Sequence, residues 1–196
     1  MPSKEPAVPR HSFIVNGKRV HVECEGDVRL LWVLLGIHGP KYGCGLRVCR
    51  ACTCHINGKE FNPCSVPVSQ IKHDDEITTI EGLAATVGKD LHPMQQAWID
   101  HDVAQCGCCQ PGQIMTAVGL VRRKQAEGQT MIEADLDQIR NICRCGTYAR
   151  IREAIVAGEA GMHTEPKLTH TKKPTHTKKL THTKKSTDTV STAGSP

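Results

Sequence analysis

The sequence predicts an α+β protein in two parts, a small mixed β-sheet followed by an all-helical half. Two Asn-Gly pairs, Asn16-Gly17 and Asn57-Gly58, each separate two short apolar or alternating runs, a pattern typical of β-hairpins. Beyond residue 84 the apolar residues recur at helical spacing instead. A chain of 196 residues divided in this way leaves each part a small core, which favours stabilisation by bound inorganic groups.

The first part is expected to be a sheet with one helix packed across it, in a β-grasp arrangement. Asp27 is the predicted N-cap of a helix over residues 28–35, and Gly36 ends that helix. Apolar residues nearly surround it, so we expect the helix, including Trp32, to be well buried. The expected strands are residues 12–15, 18–22, 53–56, 59–61 and 76–80.

The second part is expected to contain four helices around its own core. Prolines are tolerated in the first turn of a helix, and glycines commonly stand just beyond the last turn. Trp98 is predicted to lie in this core. The four segments run from Pro93 to about Val103, from Pro111 to Gly128, around residues 136–142, and from Tyr148 to Ala157, with Gly158 as the stop.

Composition divides the chain into an arm, two domains and a tail. The expected boundaries are a disordered arm at 1–11, the sheet domain at 12–84, the helical domain at 85–160 and a disordered basic tail at 161–196. The tail repeats Thr-His-Thr-Lys-Lys and cannot bury apolar surface. The seven lysines from Lys167 onwards carry more positive charge than the whole chain's net charge of +5. The domains themselves are therefore near neutral and offer no nucleic-acid surface.

The chain shows no secretion signal and no apolar run that approaches the ~20 residues needed to cross a bilayer. We therefore expect a cytoplasmic protein without a membrane span. In that compartment, cysteines bind metal more often than they form disulfides.

Four cysteines of the first part have the spacing of a plant-type [2Fe–2S] site. Cys44, Cys49 and Cys52 follow a C-x4-C-x2-C pattern, and Cys64 completes the set. Zinc sites use four cysteines too, but usually as C-x2–4-C pairs. The pattern therefore predicts an iron–sulfur cluster, and with it a protein that moves electrons.

A second set of four cysteines lies in the helical part, at Cys106, Cys109, Cys143 and Cys145. Its spacing alone leaves two metals open, because Cys106-x2-Cys109 suits zinc while the single residue between Cys143 and Cys145 is tight for it. Two quartets in one short chain suggest two redox centres in series.

Three further cysteines lie outside the quartets. Cys24 ends a predicted strand and is expected to be a small buried apolar residue. Cys54 and Cys108 lie beside Cys52 and Cys109, and each is an alternative ligand in place of that neighbour.

Long motifs surround both quartets, at residues 42–45, 51–53, 78–83, 105–113 and 141–148. Together they resemble the iron–sulfur small subunit of the molybdenum hydroxylase (xanthine oxidase) family, of the isoquinoline and aldehyde oxidoreductase type. The resemblance spans roughly residues 12–158 and keeps the two motifs in the same order.

The resemblance implies a plant-type ferredoxin-like domain followed by a helical domain, each with one [2Fe–2S] cluster. It implies that a separate large subunit holds molybdopterin and hydroxylates an aldehyde or an N-heterocycle. Electrons would pass through the helical-domain cluster and then the ferredoxin-like one, with Gln105 and Cys145 next to the pterin. The acceptor would be a flavoprotein or a c-type cytochrome subunit, so this chain would be the iron–sulfur subunit of an oxidoreductase complex without a substrate site of its own.

Two other functions remain open at this point. A freestanding two-cluster ferredoxin would shuttle between unrelated partners, and a zinc-stabilised binding module would have no redox role. A subunit of a complex also has a second possible location, periplasmic or membrane-associated, if it is exported with a partner that carries the signal.

The first cysteine loop departs from the family in two places. The family usually has glycine where this chain has Arg47 and Arg50, which predicts a cost of ~1 kcal/mol for each arginine if the left-handed backbone is required. Two guanidinium groups beside a negative cluster should favour its reduced state. They are also expected to attract an acidic acceptor.

Overall fold

The protein is described by a computed structural model that covers residues 8–37 and 39–163. The Thr/His/Lys repeats and residues 1–7, which the sequence predicts to be disordered, lie outside the described residues. In the described part, no helix is both long enough and apolar enough to span a bilayer.

A five-stranded mixed sheet forms the first part, and with the helices that follow it confirms the α+β class. The strand order is β2-β1-β5-β3-β4, in which β1 and β5 run parallel and the other neighbours antiparallel. β1 starts two residues earlier than predicted, within the expected arm. The strands are β1 Arg10–Val15, β2 Lys18–Glu23, β3 Cys54–Ile56, β4 Lys59–Phe61 and β5 Glu76–Thr78.

Both predicted hairpins form, and the asparagine side chains of their turns also form hydrogen bonds with the backbone at the two ends of β5. Asn16 and Asn57 have positive φ, as do the glycines that follow them, as two-residue hairpin turns require. The Asn16 side-chain oxygen accepts from the amide of Thr79 at 2.9 Å, and that of Asn57 accepts from the amide of Glu76 at 2.9 Å. The turns therefore also fix the strand that lies between the two hairpins in the sheet.

The first helix, α1, is shorter than predicted and spans Leu30–Leu35. Asp27 does not cap it, because the backbone just before the helix pairs with a distant segment: the Leu30 amide donates to the Val66 carbonyl at 2.8 Å. The helix buries one face only. Leu30, Leu31 and Leu34 are buried, whereas Trp32 is 53% exposed, so its predicted core position is wrong.

Four helices form the second part, at α2 Pro93–Asp100, α3 Gln110–Ala126, α4 Glu133–Leu136 and α5 Tyr148–His163. Trp98 is 4% exposed and belongs to the core, as predicted. Two boundaries were predicted wrongly. The helix expected around 136–142 ends at Leu136, and α5 continues past Gly158 because that glycine gives α2 room to pack, where a Cβ would meet the Met94 sulfur at 2.6 Å.

The helical half packs directly on the sheet through α3. A Cβ on Gly112 would overlap the carbonyl oxygens of Arg50 and Ala51, so helix and loop are in close contact. Further along α3, Arg123 forms a 2.8 Å ion pair with Glu60 of β4. Burial raises the pKa of Glu60, and the nearby cations of Arg123 and Arg50 oppose that rise. These contacts place the two cysteine sets on neighbouring elements.

Candidate iron–sulfur sites

The first cysteine set lies on the loop between α1 and β3 and on the turn after β4. Cys44 and Cys49 are half-buried near the tip of the loop, while Cys52 and Cys64 are buried under α1 against Leu31. The four side chains thus combine two accessible thiols with two enclosed ones.

Backbone amides of the loop point at the outer sulfurs. The amides of Leu46, Val48 and Cys49 each donate to Cys44 Sγ at 3.3 Å, and the Cys44 amide donates to Cys49 Sγ at 3.3 Å. Burial by itself would raise the pKa of Cys44, but these donors lower it to about 7. Amides directed at sulfur stabilise thiolates and the negative charge of an iron–sulfur cluster, so this loop fits such a group.

Left-handed residues give the loop this shape. Gly45, Arg47 and Arg50 have φ of 70°, 62° and 56°. A cost was expected at the two arginines only if a left-handed backbone is required; both adopt that backbone and carry a strain that glycine would avoid. Their side chains differ: Arg47 is exposed, whereas Arg50 is half-buried and its charge acts on Glu60.

The second cysteine set joins two loops of the helical half. Cys109 immediately precedes α3 and is buried, as is Cys143, whereas Cys106 and Cys145 are exposed. The Tyr148 hydroxyl accepts from the Cys143 amide at 2.8 Å and fixes the second loop. Burial raises the pKa of Cys109 to about 12; for Cys143, hydrogen bonds from Thr147 outweigh burial and lower the pKa to about 7.

The thiols of each set contact one another in pairs. Within the described residues, no three His, Cys, Asp or Glu side chains converge as a single metal ion would need. The thiols instead interact in pairs, since each affects the pKa of a neighbouring thiol, and Cys106 interacts with Cys108 as well. The pairs are Cys44 with Cys49, Cys52 with Cys64, Cys106 with Cys145, and Cys109 with Cys143.

The backbone also connects the two sets. The Ile142 amide donates to the Cys49 carbonyl at 3.1 Å, and the Asn141 side chain donates to the Arg50 carbonyl at 2.9 Å. These bonds hold residues 141–142 against the first loop, outside any helix, and Ile142 is 50% exposed. They explain why the helix predicted around 136–142 does not continue.

The remaining cysteines occupy different environments. Cys54 is 1% exposed in the sheet core beside Phe13 and Leu34, and its thiol donates to the Cys52 carbonyl at 3.4 Å. Cys108 is exposed. Cys24 packs against the sheet core but is only half-buried.

The residues that the resemblance placed beside a pterin are accessible. Gln105 and Cys145 are both exposed on the side of the helical half that carries the second set. Sequence reasoning missed Asn141, Gly112 and two buried histidines, His55 and His92. Gly112 and Asn141 lie inside the motifs at residues 105–113 and 141–148. That position was the signal that could have indicated a packing role for them.

Comparison with known proteins agrees with this arrangement. A family described as 2Fe-2S iron-sulfur cluster binding domain matches residues 13–83, and a family described as [2Fe-2S] binding domain matches residues 79–156. Two consecutive domains of these kinds define the class of iron–sulfur proteins.

Individual relatives show to which class of iron–sulfur proteins the chain belongs. The chain is 46% identical over 147 residues to the isoquinoline 1-oxidoreductase subunit alpha of Brevundimonas diminuta, covering 73% of this chain and 93% of that one. It is 40% identical to the aldehyde oxidoreductase iron-sulfur-binding subunit PaoA of Escherichia coli, covering 79% and 74%. Quinoline 2-oxidoreductase from Pseudomonas putida 86 superposes with a TM-score of 0.67 at 29% identity, covering 82% of this chain and 100% of that one. The chain belongs to the family of iron–sulfur subunits of the molybdenum hydroxylases, which are oxidoreductase complexes.

Proposed function

We propose that this chain is the electron-transfer subunit of a molybdenum hydroxylase and that its two cysteine quartets each hold one [2Fe–2S] cluster. The ligands are Cys44, Cys49, Cys52 and Cys64 for the first cluster and Cys106, Cys109, Cys143 and Cys145 for the second. The first cluster would lie in a β-grasp, ferredoxin-like domain at residues 12–84, and the second in the helical domain at 85–160.

The pairing of the thiols carries this proposal. A [2Fe–2S] cluster needs two thiolates on each of two irons, and the thiols that affect one another's pKa give two such pairs per set. A zinc ion would need four ligands around one point. The amides directed at Cys44 and Cys49 add the donors that a cluster with extra negative charge requires.

The contact between the sets supports transfer from one to the other. Each cluster, when bound, would take up and release single electrons. The Ile142–Cys49 hydrogen bond joins the backbone of a first-set ligand to the residue next to Cys143, so a short path of covalent bonds and one hydrogen bond connects the sets.

The exposed end of the second set is the side where we expect the molybdopterin subunit. Gln105 and Cys145 would contact the pterin, and electrons would enter there and leave through the first cluster to a flavoprotein or cytochrome c subunit. Relatives named for isoquinoline and for aldehydes support a substrate of the N-heterocycle or aldehyde class, which the partner would oxidise.

Co-purification and spectroscopy test the proposal. The tagged chain, expressed in its native host, should co-purify with a molybdopterin-binding chain and contain iron and sulfide equivalent to two clusters per chain. Dithionite reduction should give two distinct [2Fe–2S] signals in electron paramagnetic resonance (EPR). Cys49→Ser should remove one signal, while the matched Cys24→Ser should keep both. A chain with zinc and no visible absorption contradicts the proposal, and a chain with both clusters but no partner indicates a freestanding ferredoxin.

A further inference from the structure

Exposed apolar side chains gather around the first cysteine loop. Trp32 and Leu35 lie one turn apart on α1, and Tyr42, Leu46 and Val48 lie on the loop itself. All five are between 38% and 76% exposed, and we call them the loop patch. Apolar side chains grouped at the surface of a folded protein commonly mark a place where another molecule binds.

Contacts between its members make the loop patch continuous. The ring centroids of Trp32 and Tyr42 are 5.2 Å apart, which joins the helix to the loop. The Tyr42 ring also lies against Gly45, where an added Cβ would be 3.4 Å from the ring. Because Leu46 follows Gly45 directly, the apolar surface continues from α1 to the tip of the loop.

The loop end of the patch lies over one of the proposed cluster ligands. The amides of Leu46 and Val48 each donate to Cys44 Sγ at 3.3 Å, so both side chains extend from backbone that covers this sulfur. Cys44 is half-buried, whereas Cys52 is buried, so this is the more accessible side of the first set. A protein that contacts Leu46 and Val48 is therefore separated from a ligand sulfur by little more than the peptide backbone.

The border of the loop patch is positively charged. Lys41 and Arg47 are both exposed and are next to patch residues in the sequence. From residue 28 to residue 59 the chain has five lysines and arginines and neither aspartate nor glutamate. Glu81 reaches this region, but its carboxylate accepts hydrogen bonds from the Gly39 amide at 2.8 Å and the Thr79 hydroxyl at 2.5 Å. The patch thus has an apolar centre and an excess of positive charge.

We propose that the loop patch is the docking surface for the electron acceptor, and that the acceptor meets it with an apolar face bordered by carboxylates. The inference rests on the proposed function, in which one electron leaves the reduced first cluster for the acceptor and no bond or proton changes. Aromatic residues and arginine are enriched at protein interfaces, and opposite charges speed the encounter and select the partner. A second copy of this chain fits poorly, because two positively charged patches repel each other.

Variants of the complex purified from its native host test this surface. Leu46→Ser removes apolar contact and Arg47→Glu reverses a charge, while the backbone amides that bind Cys44 Sγ remain. After washes of rising salt concentration, each variant should retain about tenfold less acceptor chain per molybdopterin chain than the native complex. Lys18→Glu is the matched control, because it reverses an exposed charge at the start of β2, and it should retain as much as the native complex.

The same samples distinguish this proposal from the proposed function. A native chain without two [2Fe–2S] EPR signals or without a molybdopterin chain contradicts the proposed function. If both are present and Leu46→Ser and Arg47→Glu retain the native amount of acceptor, only the docking surface is overturned. Loss of the molybdopterin chain or of a second copy in Leu46→Ser would assign the patch to that partner and would overturn the proposal as well.

Two small oxidants test the same charge where the acceptor leaves the complex during purification. Ferricyanide is an anion and hexaammineruthenium(III) is a cation, and each takes one electron from the reduced first cluster. At low salt, Arg47→Glu should slow the loss of the first-cluster EPR signal several-fold with ferricyanide and should speed it with hexaammineruthenium(III). The same response to both oxidants would overturn the proposal.

Discussion

At the residue scale, the two arginines of the first cysteine loop have different roles, although both stand where the family usually has glycine. Both adopt a left-handed backbone. Arg47 points into solvent between the exposed side chains of Leu46 and Val48, which are 76% and 61% exposed. The Arg50 cation opposes the rise that burial causes in the pKa of Glu60, and the Arg50 carbonyl accepts a hydrogen bond from the Asn141 side chain. Of the two, only Arg47 is placed as the sequence-based hypothesis of an acceptor contact requires.

Arg47→Gly should lower the reduction potential of the first cluster. Removing an exposed cation near a negative cluster removes ~0.5–2 kcal/mol of favourable interaction with the reduced form, on the order of tens of millivolts. The same change should relieve ~1 kcal/mol of backbone strain. A redox titration followed by EPR measures the potential. Arg47→Lys, which keeps charge and strain, is the control and should leave it unchanged; an unaltered potential in Arg47→Gly contradicts the hypothesis.

The choice between neighbouring cysteines is also decided at this scale. Cys109→Ser should abolish the second cluster, because Cys109 is buried, pairs with Cys143 and is held at the start of α3. Cys108→Ser should keep it, because Cys109, not Cys108, interacts with the buried Cys143, while the Cys108 thiol donates to the Cys106 carbonyl at 3.9 Å. Iron content and the EPR signal of the second cluster distinguish the two variants. Loss of the signal in Cys108→Ser alone would mean that Cys108 is the ligand.

At the element scale, α3 connects the two halves of the protein, because it contacts the segments that carry both cysteine sets. Cys109 precedes its first turn, and Gly112 lies against the carbonyls of Arg50 and Ala51 in the other loop. Beyond them, the Met115 carbonyl accepts from His55. A single helix thus contacts the segments that carry both cysteine sets and determines the spacing between these sets.

Gly112→Ala should push α3 away from the first loop. The added methyl group overlaps two backbone carbonyls that cannot rotate aside, so we expect a loss of ~1–3 kcal/mol in the free energy of unfolding. The magnetic coupling between the two reduced clusters should weaken as well. Gly36→Ala is the matched control, since a Cβ there meets the Val33 carbonyl only at an ordinary 3.4 Å. Equal stability and coupling in both variants would contradict the packing argument.

At the scale of the whole molecule, the buried histidines make stability depend on pH. The folded pKa values, about 4 for His55 and about 3 for His92, lie below the ordinary 6.5, so below that value the unfolded chain binds protons that the folded chain does not. The stabilisation is therefore complete above pH 6.5 and decreases as the pH falls towards 4. Within this window each ring contributes ~1.4 kcal/mol per pH unit.

Urea unfolding between about pH 7 and about pH 5 should show this loss. The midpoint of the native protein should fall as the pH falls, and His55→Phe should have a shallower dependence because one of the two buried rings is gone. His21→Ala, which removes an exposed histidine from β2, is the control and should follow the native curve. Equal slopes in His55→Phe and the native protein would contradict the prediction.

The sequence by itself determined the local structure and the chemistry. Both Asn-Gly turns, the start of α2 at Pro93 and the extent of α3 follow from residue types that favour those backbone conformations. Cysteine spacing and the long motifs around it identified the family, and the departure from glycine marked Arg47 and Arg50 as the positions where a left-handed backbone, if required, would cost energy.

Only the tertiary structure decided what depends on contacts between distant segments. Residues 141–142 leave the helical conformation because their donors bond to the first loop, and Gly158 stays within α5 because Met94 of α2 packs against it. Trp32 is exposed because the sheet covers only one face of α1. The pairing of thiols and the burial of His55 and His92 depend in the same way on how the two halves pack, which local pattern and propensity do not specify.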